Sequence, residues 1–359
     1  MKKNNSIFKI VSVAFAILFS TSLMAQKDMV QFLAAGKEDA NKLAGYYTQP
    51  FLNTFGSNMN NGWYSTAAPL KLGRFTISLG LTGSFIPSDE QSFVINPSEY
   101  KTITTTGNQP ITAPTMFGEK SSPSGVSVKY NDGNTSISHP LNVPEGSGIS
   151  ISPLPLAQFS IGLIKGTEVM LRVFPKLEVK GYKAGYVGVG IKHDVKQWIP
   201  FMGKLPFDLS FIGAYTSASL DIVGGEFLMP DVGVSNPNIM DYTTQGLSFT
   251  SKAWNANLII SRKFPILTVF GGVRLSGSKT NFGLIGNYPV TILSNPLNPA
   301  SKVVSHIIDP ITLEGSGTQF GINAGFRVKL GIMAIVSEGT FVPGGYSSAS
   351  FGLNFGFFN

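Results

Sequence analysis

The chain has 359 residues, with 27 Lys and Arg against 20 Asp and Glu, three His and no Cys. An excess of this size does not point to nucleic acid, and the lack of cysteine excludes disulfides, thiolate metal sites and a lipid-anchor cysteine. Charged residues make up 13%, about half the ~25% usual in soluble domains, while Gly (40) and Phe (27) are abundant.

Residues 1–25 read as a cleaved secretory signal. Lys2, Lys3 and Lys9 precede the apolar stretch 10–19, and cleavage after Ala25 leaves Gln26 first. That stretch falls short of the ~20 residues a spanning helix needs. Without the three lysines the basic excess falls to four. Residues 28–52 are predicted helical, with Asp28 as N-cap and Pro50 as the stop. Phe32, Leu33, Leu43, Tyr46 and Tyr47 recur there at roughly helical spacing. Residues 53–72 are rich in Asn and Gly and carry Trp63 and Tyr64. Together, residues 26–73 form a helical N-terminal segment, expected to plug a lumen, cap its mouth or shield its rim.

From residue 74 the period changes to two, so one face of each segment is apolar and the other polar. The clearest case is 317–330. Phe320, Ile322, Ala324, Phe326, Val328 and Leu330 alternate there with Gln319, Gly321, Asn323, Gly325, Arg327 and Lys329. The same alternation marks 74–85, 156–164, 167–175, 185–193, 206–221, 247–261, 266–279 and 346–358, and more weakly 332–342. Within 206–221 the parity blurs near Gly213, which reads as a bulge. These ten strands and a hairpin at 126–139, turning at Asn131-Asp132-Gly133-Asn134, make twelve the expected number, within a range of 10–14. The predicted fold is all-β: an antiparallel transmembrane β-barrel over 74–359.

The connections sort by parity. Three on one side are long (86–155, 222–246 and 280–316), and those on the other are mostly short, including Lys165-Gly166, 262–265 and Gly331. Outer-membrane barrels sort their loops in this way. Loop 86–155 holds nine prolines and a Thr-rich run at 102–106. It is expected to fold over the mouth, to bind a partner, or to be a variable surface loop. The final strand has the aromatic alternation of a signal read by barrel-assembly machinery, although Asn359 follows Phe358.

Side chains with enzyme chemistry are sparse. His139, His193 and His306 have no metal-motif spacing, and no serine stands in G-x-S-x-G. A barrel lipase would need a Ser–His pair at the rim. His193 fits such a place, and no serine partner can be chosen. No metal, cofactor or catalytic set is expected. The inward face says more. Parity points Glu168, Arg172, Lys192, Asp208, Arg274, Arg327 and Lys329 into the lumen, with Gln158, Ser160, Ser210, Asn255, Asn257 and Asn323. Bases outnumber acids there, which favours anionic solutes or the carboxylate end of an amphiphile. Phe174 and Phe270 add apolar surface. The structural alternative is that these charges pair with each other or with the N-terminal segment.

The string GYVGVGIKHDVKQWIPFMGKLPFDLSFIGAY at 185–215 resembles a signature of an uncharacterised family of exported barrel proteins from Gram-negative Bacteroidota. FLAAGKEDANKLAGYY at 32–47 and NNGWYSTA at 60–67 are similar to that family's N-terminal region. The layout, a plug followed by a barrel, also resembles the long-chain fatty-acid transporters. The resemblance implies an outer-membrane location, with membrane lipid, lipopolysaccharide and the assembly machinery as partners. The expected function is passive uptake or binding of a small hydrophobic or anionic molecule, with a mobile plug exposing Arg274, Arg327 and Lys329. The alternative is a non-transporting component of a secretion or gliding complex.

Overall fold

The computed structural model describes residues 29–131, 136–179, 182–223, 227–238, 240–294, 298 and 301–356. The predicted signal, its cleavage site, the Asp28 cap, the turn at 132–134 and the last three residues lie outside them.

Ten antiparallel strands close into a barrel. They are β1 (Phe75–Phe85), β2 (Ile151–Gly162), β3 (Thr167–Val179), β4 (Tyr182–Asp194) and β5 (Asp208–Val223), followed by β6 (Gly246–Lys263), β7 (Leu267–Ile285), β8 (Ile311–Leu330), β9 (Met333–Phe341) and β10 (Ser348–Gly356). Each pairs with its neighbours in the chain, and β10 returns to β1, with Thr76 opposite Gly356 and Ser84 opposite Ser348. Closure pairs the N–H and C=O groups that an open edge would leave bare, each costing several kcal/mol in lipid. Among the described residues, no helix is long and apolar enough to cross a membrane.

The ten directly read strands are the ten of the barrel, and the expected twelve is too many. The hairpin at 126–139 is a separate piece: Val126–Asn131 pairs with Ser136–Pro140 and with Ile103–Thr105, away from the wall. The bulge expected at Gly213 is also absent. β5 runs in unbroken register against both β4 and β6, and the register shift observed lies instead between Phe174 and Leu177 on β3.

The blurred parity has another cause, visible on the long strands. On β8 the outward row Phe320, Ile322, Phe326 and Leu330 is exposed. It covers ten steps of about 3.3 Å, which at the usual tilt gives roughly the 25 Å apolar band of a membrane barrel. Above Phe320 the phase of hydrophobicity reverses. Outward Glu314 and Thr312 are exposed, while inward Leu313 and Ile311 are buried. β7 does the same, with Lys279 and Asn281 out and Phe282 and Leu284 in. On this side the wall therefore continues beyond the lipid band into water.

The inward apolar residues pack on a helix. After a 3-10 turn (Val30–Ala35), α1 (Gly36–Met59) enters at the long-loop end and descends inside the barrel. The helix runs on past Pro50, the predicted stop. An interior proline costs ~3 kcal/mol, and burial of Leu52, Phe55 and Met59 against the wall offsets it. Gly56 allows the closest approach, since a Cβ there would lie 2.3 Å from the Ser278 Cβ. Residues 60–73 then continue to the short-turn end, where the Gly73 N–H donates to the Gly162 carbonyl at 3.0 Å.

At the long-loop end, residues 86–150 fold into a cap with two small sheets, Ser92–Ile95 with Ile111–Pro114 and the three-stranded one above. Asp39 of α1 holds it: its carboxylate accepts the Lys101 N–H (3.0 Å), the Thr102 N–H (2.7 Å) and the Thr102 hydroxyl (2.7 Å). The Met116 N–H reaches the Tyr47 carbonyl at 2.9 Å, and the Tyr47 hydroxyl donates to the Glu145 carbonyl at 3.0 Å. Burial raises the Tyr100 and Tyr346 hydroxyl pKa values in this region, with Glu90 adding to the effect at Tyr346. The long connection is thus an ordered module built on the helix.

Candidate functional site: the filled lumen

The end of a helix leaves backbone carbonyls without partners and carries a partial negative charge. In α1 that end stops in the middle of the barrel, where two wall arginines meet it. Arg172 on β3 donates to the Met59 carbonyl (3.0 Å), the Asn61 carbonyl (2.7 Å) and Gln158 Oε1 (3.0 Å). Its guanidinium also lies 3.8 Å from the Trp63 ring centroid. Arg274 on β7 donates to the Asn60 carbonyl (3.3 Å) and Asn61 Oδ1 (2.6 Å). Both are buried. Apart from Gln158 on β2, their partners are the plug's own backbone and an amide, which satisfies the helix end and fixes its depth.

Above this clamp the lumen is apolar. Leu220 and Ile222 of β5, Leu247 and Phe249 of β6 and Leu313 of β8 form one buried cluster with Leu43, Tyr47, Leu52 and Phe55 of α1. Phe55 meets Phe249 edge-on, with centroids 4.7 Å apart. Phe174 belongs to this cluster, and Phe270 packs lower against Tyr64.

Below the clamp the lumen is polar. Glu168 and Lys192 form a buried ion pair at 2.8 Å, and Glu168 also accepts the Leu70 N–H at 2.9 Å. The Thr66 and Ser261 hydroxyls meet at 3.0 Å, and Ser210 Oγ donates to the Ala67 carbonyl at 2.6 Å. Tyr64 bonds Asn323. Beside the segment 62–70 lie two small spaces of about 60 and 40 Å³, well below the ~300 Å³ at which ligand pockets begin.

The structure divides the seven predicted lumen residues. Arg172 and Arg274 clamp the helix, and Glu168 and Lys192 pair with each other. Arg327 donates to Thr268 at 3.4 Å and shares the smaller space with half-buried Asp208. Lys329 is half-buried near the short-turn end and lines neither space. Arg274, Arg327 and Lys329 therefore do not converge on one site. Sequence reading missed Glu338 on β9, buried in the larger space, with Oε1 accepting the Thr340 hydroxyl at 3.5 Å. The parity of Ala334, Val336, Glu338 and Thr340, all buried, was the available signal, but β9 is short and weakly alternating.

Fold and lumen define a ten-stranded up-and-down β-barrel filled by its own N-terminal segment. The chain belongs to a family of unknown function (DUF6588), whose model matches residues 1–357. This agrees with the resemblance to an uncharacterised family. No curated protein matches the chain. Among solved structures it is similar to outer-membrane β-barrel proteins. The attachment invasion locus protein Ail of Yersinia pestis is 9% identical, with 80% of this chain and 99% of that one covered and a TM-score of 0.24. The translocator domain of the autotransporter NalP from Neisseria meningitidis is 11% identical, covering 90% and 99% with a TM-score of 0.27. The Ralstonia pickettii toluene transporter TbuX is 9% identical, covering 84% and 93% with a TM-score of 0.21.

Proposed function

We propose that the protein is a closed, non-transporting barrel of the Gram-negative outer membrane that holds a folded cap at the cell surface, as a structural or assembly component of the envelope. The long loops face outward and the short turns face the periplasm, the usual orientation of such barrels. The carrying observation is the apolar upper lumen, packed against α1 and continuous with the cap.

Eight apolar side chains of the segment (Met29, Val30, Phe32, Leu33, Leu43, Leu52, Phe55 and Met59) are buried. At ~1.5–3 kcal/mol each, withdrawing them costs on the order of 12–24 kcal/mol. A micromolar ligand supplies at most ~8 kcal/mol, and only its preference for the open state counts toward opening. Passive uptake through a mobile plug is therefore the weaker reading. The test is conductance of the full chain in planar bilayers, together with liposome swelling in sugars and fatty acids. The proposal expects no stable conductance and no swelling. Steady or ligand-triggered conductance would restore the uptake reading.

A further inference from the structure

The connection between β4 and β5, residues 195–207, reads VKQWIPFMGKLPF. It is held by its own bonds. Lys196 Nζ donates to the Leu205 and Phe207 carbonyls at 2.6 and 2.5 Å. Asp194 accepts the Lys196 N–H at 2.9 Å, and Gln197 Nε2 donates to the Lys165 carbonyl in the adjacent turn at 2.9 Å. Its large apolar side chains nevertheless face outward, with Trp198 65% and Phe201 92% exposed. Phe201 also sits at φ +66°, a conformation that bulky residues rarely adopt. The chain bears this strain with no internal packing of the ring in return, a pattern that points to function.

Two observations say what covers the segment. The first is continuity with the lipid face. Trp198 Nε1 donates to His193 Nε2 at 2.8 Å, and the two rings stack. His193 lies two residues beyond Ile191 in the outward row of β4, opposite the exposed Phe211. Trp198 is thus fixed at the lower border of the apolar band, where tryptophan favours the membrane interface. The second is charge. Lys165, Lys204 and Arg262 are exposed along the same arc of turns, while Asp194 is engaged within the loop. Exposed aromatics flanked by bases are a surface for anionic lipid.

We infer that residues 195–207, with Lys165 and Arg262, form a docking surface for anionic phospholipid headgroups in the leaflet at the short-turn end. Trp198 and Phe201 enter that leaflet beside the headgroups. The surface lies outside the lumen and is independent of whether the barrel conducts.

The test uses the full chain refolded in phosphatidylcholine nanodiscs containing a minor fraction of brominated lipid. The Trp198 signal is the fluorescence difference between the protein and its Trp198→Phe variant. Brominated phosphatidylglycerol is expected to quench it several-fold more efficiently than brominated phosphatidylcholine. The triple variant K165Q/K204Q/R262Q is expected to lose that preference, by up to about fivefold per base removed, with heat-modifiable gel migration unchanged. Equal quenching by both headgroups, or a preference that survives in the folded triple variant, overturns the inference. A second variant, Phe201→Gly, relieves the strained backbone and is expected to be as stable in detergent as the parent or more so, and to weaken the quenching. Unaltered quenching in that variant removes Phe201 from the surface.

Discussion

Replacing Arg172 by Gln tests the clamp at the base of α1. The substitution removes three charge-assisted hydrogen bonds, each worth about 1.5–3 kcal/mol, and a stacked contact with Trp63 worth ~2 kcal/mol when desolvated. It also removes the penalty of burying a guanidinium without a carboxylate against it, so the parts do not sum. The net loss is expected near ~3–4 kcal/mol, well below the sum of the three hydrogen bonds. That loss falls on docking of the helix, because the wall hydrogen bonds of β3 are untouched. Hydrogen exchange in micelles reads it directly: amides in the last turns of α1 should exchange about 10²- to 10³-fold faster, while those of β5 to β8 keep their protection. Arg172→Lys should fall between, since an ammonium keeps the charge but lacks the planar fork. An Arg172→Gln protein whose α1 amides exchange within threefold of the parent would refute the clamp.

Three further outcomes follow from the same contacts. Gly56→Ala gains ~1 kcal/mol of helix propensity but meets Ser278 at 2.3 Å, so the unfolding temperature should fall, and Ser278→Gly in the same chain should restore it. Lys192→Met leaves Glu168 buried without its partner and should destabilise by about 3–5 kcal/mol in urea titrations, whereas the double variant E168L/K192M should recover most of that. Asp39→Ala strips the Lys101 and Thr102 amides of their acceptor, at ~1–3 kcal/mol for each amide left unpaired. Limited proteolysis should then cut within 86–150 at least tenfold faster, with the barrel fragment intact.

The lipid-facing half of the wall was legible because one physical demand, apolar side chains toward hydrocarbon, writes itself at period two. Leu330 back to Phe320 is such a row. The upper half was not legible. There the outward residues, such as Lys279 and Glu314, meet water and each other at 2.8 Å, while the inward ones, such as Phe282 and Leu313, meet a helix. The alternation persists but its phase inverts, so strands were read short and a bulge was placed at Gly213. The extra hairpin at 126–139 carries the same alternation on a small sheet of the cap, and parity alone cannot tell the two settings apart. Glu168, Arg172, Lys192, Arg274 and Arg327 are buried in the structure, but their partners were not foreseeable. Gln158 aside, those of Arg172 and Arg274 are backbone carbonyls and an asparagine of the plug more than a hundred residues away. Nothing in local spacing encodes a contact of that range.

Residues 29–73 fill the barrel. Thr66 and Ser261 place their hydroxyl oxygens 3.0 Å apart, one on the plug and one on β6, and the chain has no cysteine of its own. In the double variant T66C/S261C the two sulfurs take those positions, within reach of a disulfide. Mild oxidation of intact outer membranes should therefore cross-link the pair nearly completely, giving a gel shift reversed by reductant. A barrel that keeps its folded, heat-modifiable migration but forms no cross-link would contradict the account.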